Sequence, residues 1–156
     1  MTDTIDPDAL DQLLCFNVYS LHRAFSRFYQ SAFAQTGLTY PKFVILKALK
    51  ETGPMSVSAL SQEAAVEPNT LSPLLKKMAG FDLVTRQRSV EDERRVDIAI
   101  TPKGEAVLDR ANAVILEGFR DLGLDSAQVV DAIGFLNQTR HRVEETQPPK
   151  LDLDGI

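Results

Sequence analysis

Between Ser56 and Ile100 the apolar residues change their spacing from that of two short helices to that of two strands, and few small folds use that order. The first helical run spans Ser56 to Ala65, with serines to cap its start and Ala59, Leu60 and Ala64 as its inward face. The second begins at Pro68, a residue suited to a first helical turn, and runs to about Met78 with Leu71, Leu74, Leu75 and Met78 inward. That leaves Asn69, Thr70, Ser72, Lys76 and Lys77 facing out, the side-chain types that reach base edges and phosphates in a major groove. After Leu83 the period becomes two. Leu83 to Arg88 and Val96 to Ile100 read as antiparallel strands joined by a polar arm too long for a two-residue turn. Arg94 and Arg95 at its tip suit a narrow minor groove, while Asp92 and Glu93 are poor DNA ligands and better placed to hold those arginines. Two helices followed by such a hairpin predict a winged helix-turn-helix, in a chain that is mainly α with a small β-hairpin wing.

The runs Leu75-Lys-Lys-Met, Leu83-Val-Thr-Arg, Glu91-Asp-Glu-Arg-Arg and Thr101-Pro-Lys-Gly resemble the MarR family of dimeric winged-helix repressors. The resemblance implies that the helix from Pro68 is the recognition helix, that Arg94 enters the minor groove, and that a homodimer reads a pseudo-palindromic operator in double-stranded DNA. A winged helix used only for protein contacts or scaffolding is the alternative.

The 156 residues, 44% of them apolar, fit one domain with a real core, residues 1–156. No apolar run spans a bilayer, and the acidic start lacks the regions of a signal peptide, so a cytoplasmic location and no membrane partner are expected. A net charge of -5 argues against indiscriminate coating of nucleic acid. Charge is local, however: between Lys76 and Arg95 the basic residues Lys76, Lys77, Arg86, Arg88, Arg94 and Arg95 stand against Asp82, Glu91, Asp92 and Glu93, and DNA binding there would be focused and salt-sensitive.

A polar tail to about Pro7 precedes a long helical pattern, 8–36, uninterrupted by Gly or Pro, with Leu10, Leu14, Leu21, Phe25, Phe28 and Ala32 near one stripe and Gly37 as its end. Thr39-Tyr-Pro opens another helix, supported by Phe43, Leu46, Ala48 and Leu49 and stopped by Thr52-Gly-Pro. Beyond the winged-helix segment, 56–100, Thr101-Pro starts a helix with Ala106, Val107, Ala111, Val114, Ile115 and Phe119 on one side. Asp125-Ser126 starts the last, with Val129, Val130, Ile133 and Leu136 inward. Segments 8–36 and 102–145 are therefore expected to dimerise, and the tail from Gln147, 147–156, to be mobile. Pro73 removes one backbone hydrogen bond from the recognition helix and is expected to bend it or to be a tolerated irregularity.

Cys15 is the only cysteine, which excludes an intramolecular disulfide and a Cys-rich metal site; neither a metal nor a cofactor is expected. A lone helical Cys is commonly a small buried hydrophobe. Here, however, Cys15, Tyr19, His22, Ser26 and Tyr29 repeat at three- and four-residue steps along one line, with Tyr19 one turn from the thiol. The segment Leu13-Leu-Cys-Phe-Asn-Val-Tyr, Tyr29 and Gly37-Leu-Thr-Tyr-Pro resemble the OhrR branch of the MarR family, which senses organic hydroperoxides. By that resemblance Cys15 is the redox sensor and Tyr19, Tyr29 and Tyr40 its hydrogen-bonding partners. On a straight helix Tyr29 stands about 21 Å from Cys15, so contact between them requires a second subunit whose first helix runs antiparallel.

Phenolic hydrogen bonds favour a thiolate, and an apolar surround of Phe16, Val18 and Phe25 suits an alkyl or lipid hydroperoxide. Attack gives a sulfenic acid; with no second cysteine in the chain the next step uses an outside thiol, over-oxidation or the other subunit, whose Cys15 an antiparallel pairing puts beyond disulfide reach, and a mixed disulfide with a small cellular thiol is expected. The resemblance identifies this as the one-cysteine OhrR type. Two readings stand beside it: a repressor released by a non-covalent aromatic or lipophilic ligand, and a thiol peroxidase, for which the usual Pro, Thr and Arg activators of the thiol are missing. A regulator rather than an enzyme is expected. His22 and His141 are assigned no function.

Overall fold

The structure is a computed structural model that describes residues 6, 8–88, 96–123 and 125–148. Six helices and three short strands alternate along these residues: α1 Leu14–Ala32, α2 Tyr40–Thr52, β1 Met55–Ser56, α3 Val57–Glu63, α4 Pro68–Gly80, β2 Val84–Arg88, β3 Val96–Ile100, α5 Pro102–Asp121 and α6 Ser126–Glu145. The chain clusters into two compact units with the boundary after Gly118, inside α5. No helix among the described residues is long and apolar enough to cross a membrane.

The expected helix 8–36 is shorter and broken at its start. Leu10–Gln12 form a single 3-10 turn, Leu13 is extended, and α1 begins at Leu14. The break is held from within the chain, since the Asn17 side-chain amide donates to the carbonyls of Asp11 at 2.7 Å and Leu13 at 2.9 Å. At the other end α1 stops at Ala32, because Phe33 turns into the core and Thr36 closes the bend. Its hydroxyl donates to the Phe33 carbonyl and accepts from the Leu38 N–H. Gly37 follows in the left-handed region at φ 70°.

The core of the first unit is built by Ile45, Leu46 and Leu49 of α2, Leu60 of α3, Leu71, Leu75 and Met78 of α4, Val84 and Ile98 of the sheet, and Leu108 and Ala111 of α5. These recur at helical or alternate-residue spacing, so one face of each element is consumed. Ala59, Ala106 and Val114, expected inside, are exposed, because the buried faces turn instead on Leu60 and Ala64 and on Leu108 and Ala111.

The sheet runs antiparallel in the order β1-β3-β2. Ile98 stands opposite both Met55 and Arg86, and Val84 opposite Ile100, so β3 is the central strand. Strand β1 is too short to show a period, and Ser56 both ends it and caps α3 by accepting from the Ala59 N–H at 3.2 Å. At the joint to α5, the buried Thr101 hydroxyl donates to the Asp82 carbonyl at 2.6 Å and accepts from the Gly104 N–H at 2.9 Å. Gly104 lies directly against the Leu83 carbonyl, where no side chain fits.

In the second unit, α6 carries a complete capping box between Asp125 and Gln128. Val130, Ile133 and Leu136, expected inward, are exposed together with Phe135 and Val143.

Candidate nucleic-acid interface and thiol site

Helices α3 and α4 are joined by a turn in which Ala65 takes a left-handed conformation at φ 49° and the Ser61 hydroxyl donates to the Val66 carbonyl at 2.7 Å. That turn lets α4 bury Leu71, Leu75 and Met78 against the core and leaves its opposite face free. Asn69, Thr70, Ser72, Lys76 and Lys77 are all exposed on that face, as are Pro73 and, on β2, Arg86 and Arg88. The helix continues through Pro73 from Pro68 to Gly80. Amides, hydroxyls and ammonium groups on one exposed helix are suited to hydrogen-bonding bases and neutralising phosphates. Arg94, Arg95 and Asp92 lie outside the described residues.

Phe81 follows α4 directly, and its ring stands exposed. The Lys42 ammonium lies 5.9 Å from that ring's centre and donates to the Gly37 carbonyl at 3.3 Å. The sequence gives no periodic signal for this contact, because neither residue lies on a buried stripe. The ion pair of Lys50 on α2 with Asp109 on α5, at 2.9 Å, is equally silent in the sequence. The Asp109 carboxylate that accepts its hydrogen bond holds the Lys50 ammonium above its ordinary range.

The four residues of the expected thiol site fall into two pairs. Cys15 is exposed in the first turn of α1, and Tyr19 stands one turn on, also exposed. The Tyr19 oxygen accepts a hydrogen bond from Arg23 at 3.2 Å, and the guanidinium carbon lies 5.8 Å from the ring centre. Tyr29 and Tyr40 form the second pair, with ring centres 4.5 Å apart in an aromatic cluster with Phe33 and Phe43. Burial, reinforced by the neighbouring Tyr40, pushes the Tyr29 phenol above its ordinary value of 10.0. Of the remaining stripe residues, His22 and Ser26 are exposed, the Ser26 hydroxyl donating to the His22 carbonyl.

A cavity of about 640 Å³ opens between the end of α1 and α5. Ala32, Val107, Ala113 and Val114 give it apolar walls, and Arg110 is its one charged side chain.

Residues 27–111 match the family model described as the transcriptional regulator SarA/Rot. The HTH-type transcriptional regulator MgrA of Staphylococcus aureus is 32% identical over 143 residues, covering 91% of this chain and 97% of that protein. BpsR of Bordetella bronchiseptica superimposes with a TM-score of 0.78 at 18% identity, over 91% of this chain and 100% of that one. AbfR, solved on DNA in its reduced and overoxidised forms, gives TM-scores of 0.68 and 0.67 at 28% identity, over 87% of this chain and 95% of that one. With a winged-helix fold, a free polar face on the helix after the turn, and these relatives, the chain belongs to the SarA/Rot family of transcriptional regulators, DNA-binding winged-helix proteins of the MarR type.

Proposed function

We propose that this regulator is a homodimeric repressor that releases a pseudo-palindromic operator when Cys15 is oxidised by an organic hydroperoxide. The observation that carries the reading is the split of the thiol site. Cys15 is exposed in the first turn of α1, whereas Tyr29 stands about 21 Å further along that helix, paired with Tyr40 of α2. A second copy with its first helix antiparallel brings that pair to the thiol, where the Tyr29 phenol donates to a thiolate. The exposed apolar side chains of Leu14, Val18 and Leu21 on α1, and of Ile133 and Leu136 on α6, supply surfaces for such a dimer. That AbfR has been solved on DNA both reduced and overoxidised supports a redox signal in a 28% identical relative.

In the proposed reaction the Cys15 thiolate attacks the terminal peroxide oxygen. The S–O bond forms, the O–O bond breaks, sulfur gives up two electrons, and the leaving alkoxide takes a proton to become an alcohol. A small cellular thiol then displaces hydroxide from the sulfenic acid as water, leaving a mixed disulfide. The adduct at the dimer interface shifts the helices that set the spacing of the two α4 helices, and their fit to half-sites one helical turn apart is lost. Asn69, Thr70, Ser72, Lys76 and Lys77 serve the major groove and Arg86 the backbone, with Arg94 and Arg95 in the minor groove steadied by Asp92.

The test is fluorescence anisotropy on a duplex from the protein's own upstream region, with cumene hydroperoxide and a small thiol. Wild type is expected to lose affinity about tenfold or more, and Cys15→Ser to stay bound. Retention by both proteins defeats the redox mechanism.

The cavity favours a second reading, release by a non-covalent ligand. Apolar walls and a single Arg110 suit a small aromatic or lipophilic anion. Release of Cys15→Ser from the duplex by benzoate, abolished in Arg110→Gln, supports it.

A further inference from the structure

We infer that Lys42 and Phe81 form a coupling device that links the tyrosine pair to the helix facing DNA. The inference rests on the reading of α4 as the DNA-contacting helix and is independent of whether Cys15 is oxidised.

Phe81 is 62% exposed, so its ring contributes little to the core. Its backbone, in contrast, is fastened to the end of α4. The Phe81 N–H donates to the Lys77 and Met78 carbonyls, and the next two residues return N–H groups to Ala79 and Met78. A ring held in place by a partner therefore bears on the last turn of α4 through this backbone. The ring's cationic neighbour comes from a different element, the first turn of α2, where Lys42 sits two residues after Tyr40. Lys42 also donates to the carbonyl of Gly37, in the connection from α1 to α2. One ammonium thus spans the α1–α2 connection and the end of α4. Tyr40 enters the same turn with its ring tilted against that of Tyr29 of α1. A change in the packing of the two phenols moves the first turn of α2, and Lys42 passes that movement to Phe81.

Coupling of this kind is reciprocal, so DNA bound to α4 must alter the surroundings of Tyr40. That direction can be read with Cys15 reduced. The experiment places 3-fluorotyrosine at position 40 and follows its 19F resonance as the own-upstream duplex is added, with anisotropy recorded in parallel. In wild type the Tyr40 resonance is expected to shift on DNA binding. Phe81→Leu and Lys42→Met should reduce that shift by at least half while DNA affinity changes about two- to fivefold or less, the scale of an exposed cation–π contact. Lys42→Arg keeps a cation over the ring and should restore the shift, which a merely structural role would not require. A resonance that is unmoved by bound DNA in wild type, or moves equally in all variants, overturns the device. Absence of any anisotropy change overturns it too, by defeating the reading of α4 on which it stands. Failure of hydroperoxide to release DNA defeats only the redox mechanism.

Discussion

Tyr29 shows how one side chain can be fixed by a neighbour one helical turn away and by another from a different helix. Its ring packs between Phe33 and Tyr40, and burial favours the neutral phenol. The native chain therefore keeps a proton that the unfolded chain loses near pH 10.0. In the window from that value up to the raised native value, the native state binds more protons, so stability falls as pH rises. The contribution is fully present below the window. Tyrosinate absorbance at 295 nm, titrated in wild type and Tyr29→Phe, isolates this group in the difference, and its midpoint is expected above 10. Urea unfolding of the two proteins on either side of that pH should show a smaller alkaline loss in Tyr29→Phe. A difference midpoint at or below 10 removes the argument.

At the scale of elements, two joints hold the winged helix in shape. Ser56→Ala leaves an Ala59 N–H without its cap and should cost about 1 kcal/mol in urea unfolding, with DNA contacts untouched. Gly104→Ala is far more damaging, because a methyl group there meets the Leu83 backbone carbonyl and the Ile100 side chain. Overpacking against backbone should cost about 3 kcal/mol, lowering the urea midpoint sharply. A Gly104→Ala protein as stable as wild type would mean that α5 slides freely against the β2 end. Both positions illustrate the same division. The capping serine is local and legible in sequence, whereas the glycine owes its identity to the close passage of a chain segment 21 positions earlier.

Across the whole molecule the net charge of -5 and the exposed basic residues of α4 and β2 act together. Sequence-independent affinity comes from neutralised phosphates, so Lys76→Ala and Lys77→Ala should each lower the slope of log affinity against log salt by about 1. Unchanged slopes would move the DNA contact elsewhere. The exposed apolar side chains of α1 and α6 belong to the same scale. Light scattering behind size exclusion should give twice the 17.3 kDa of the chain, and Ile133→Asp together with Leu14→Asp should halve it. A wild-type monomer would leave Cys15 without the second copy's phenols.

The sequence alone determined the order of the helices α2 to α6 and of the two wing strands β2 and β3, because capping residues, proline and glycine act locally and the switch of apolar period is visible along the chain. It placed Pro68 at the start of α4, the wing strand Val96–Ile100 and the outward set Asn69, Thr70, Ser72, Lys76 and Lys77 where the structure has them. Tertiary structure decided what depends on contact between distant segments. It added β1 by pairing Met55 with Ile98 and packed the ring of Tyr40 against Tyr29. It also brought Lys42 over Phe81. None of these has a periodic signature. Each arises where chain segments that fold by their own local rules come within a few ångströms, and the distances between them are set by the core they share.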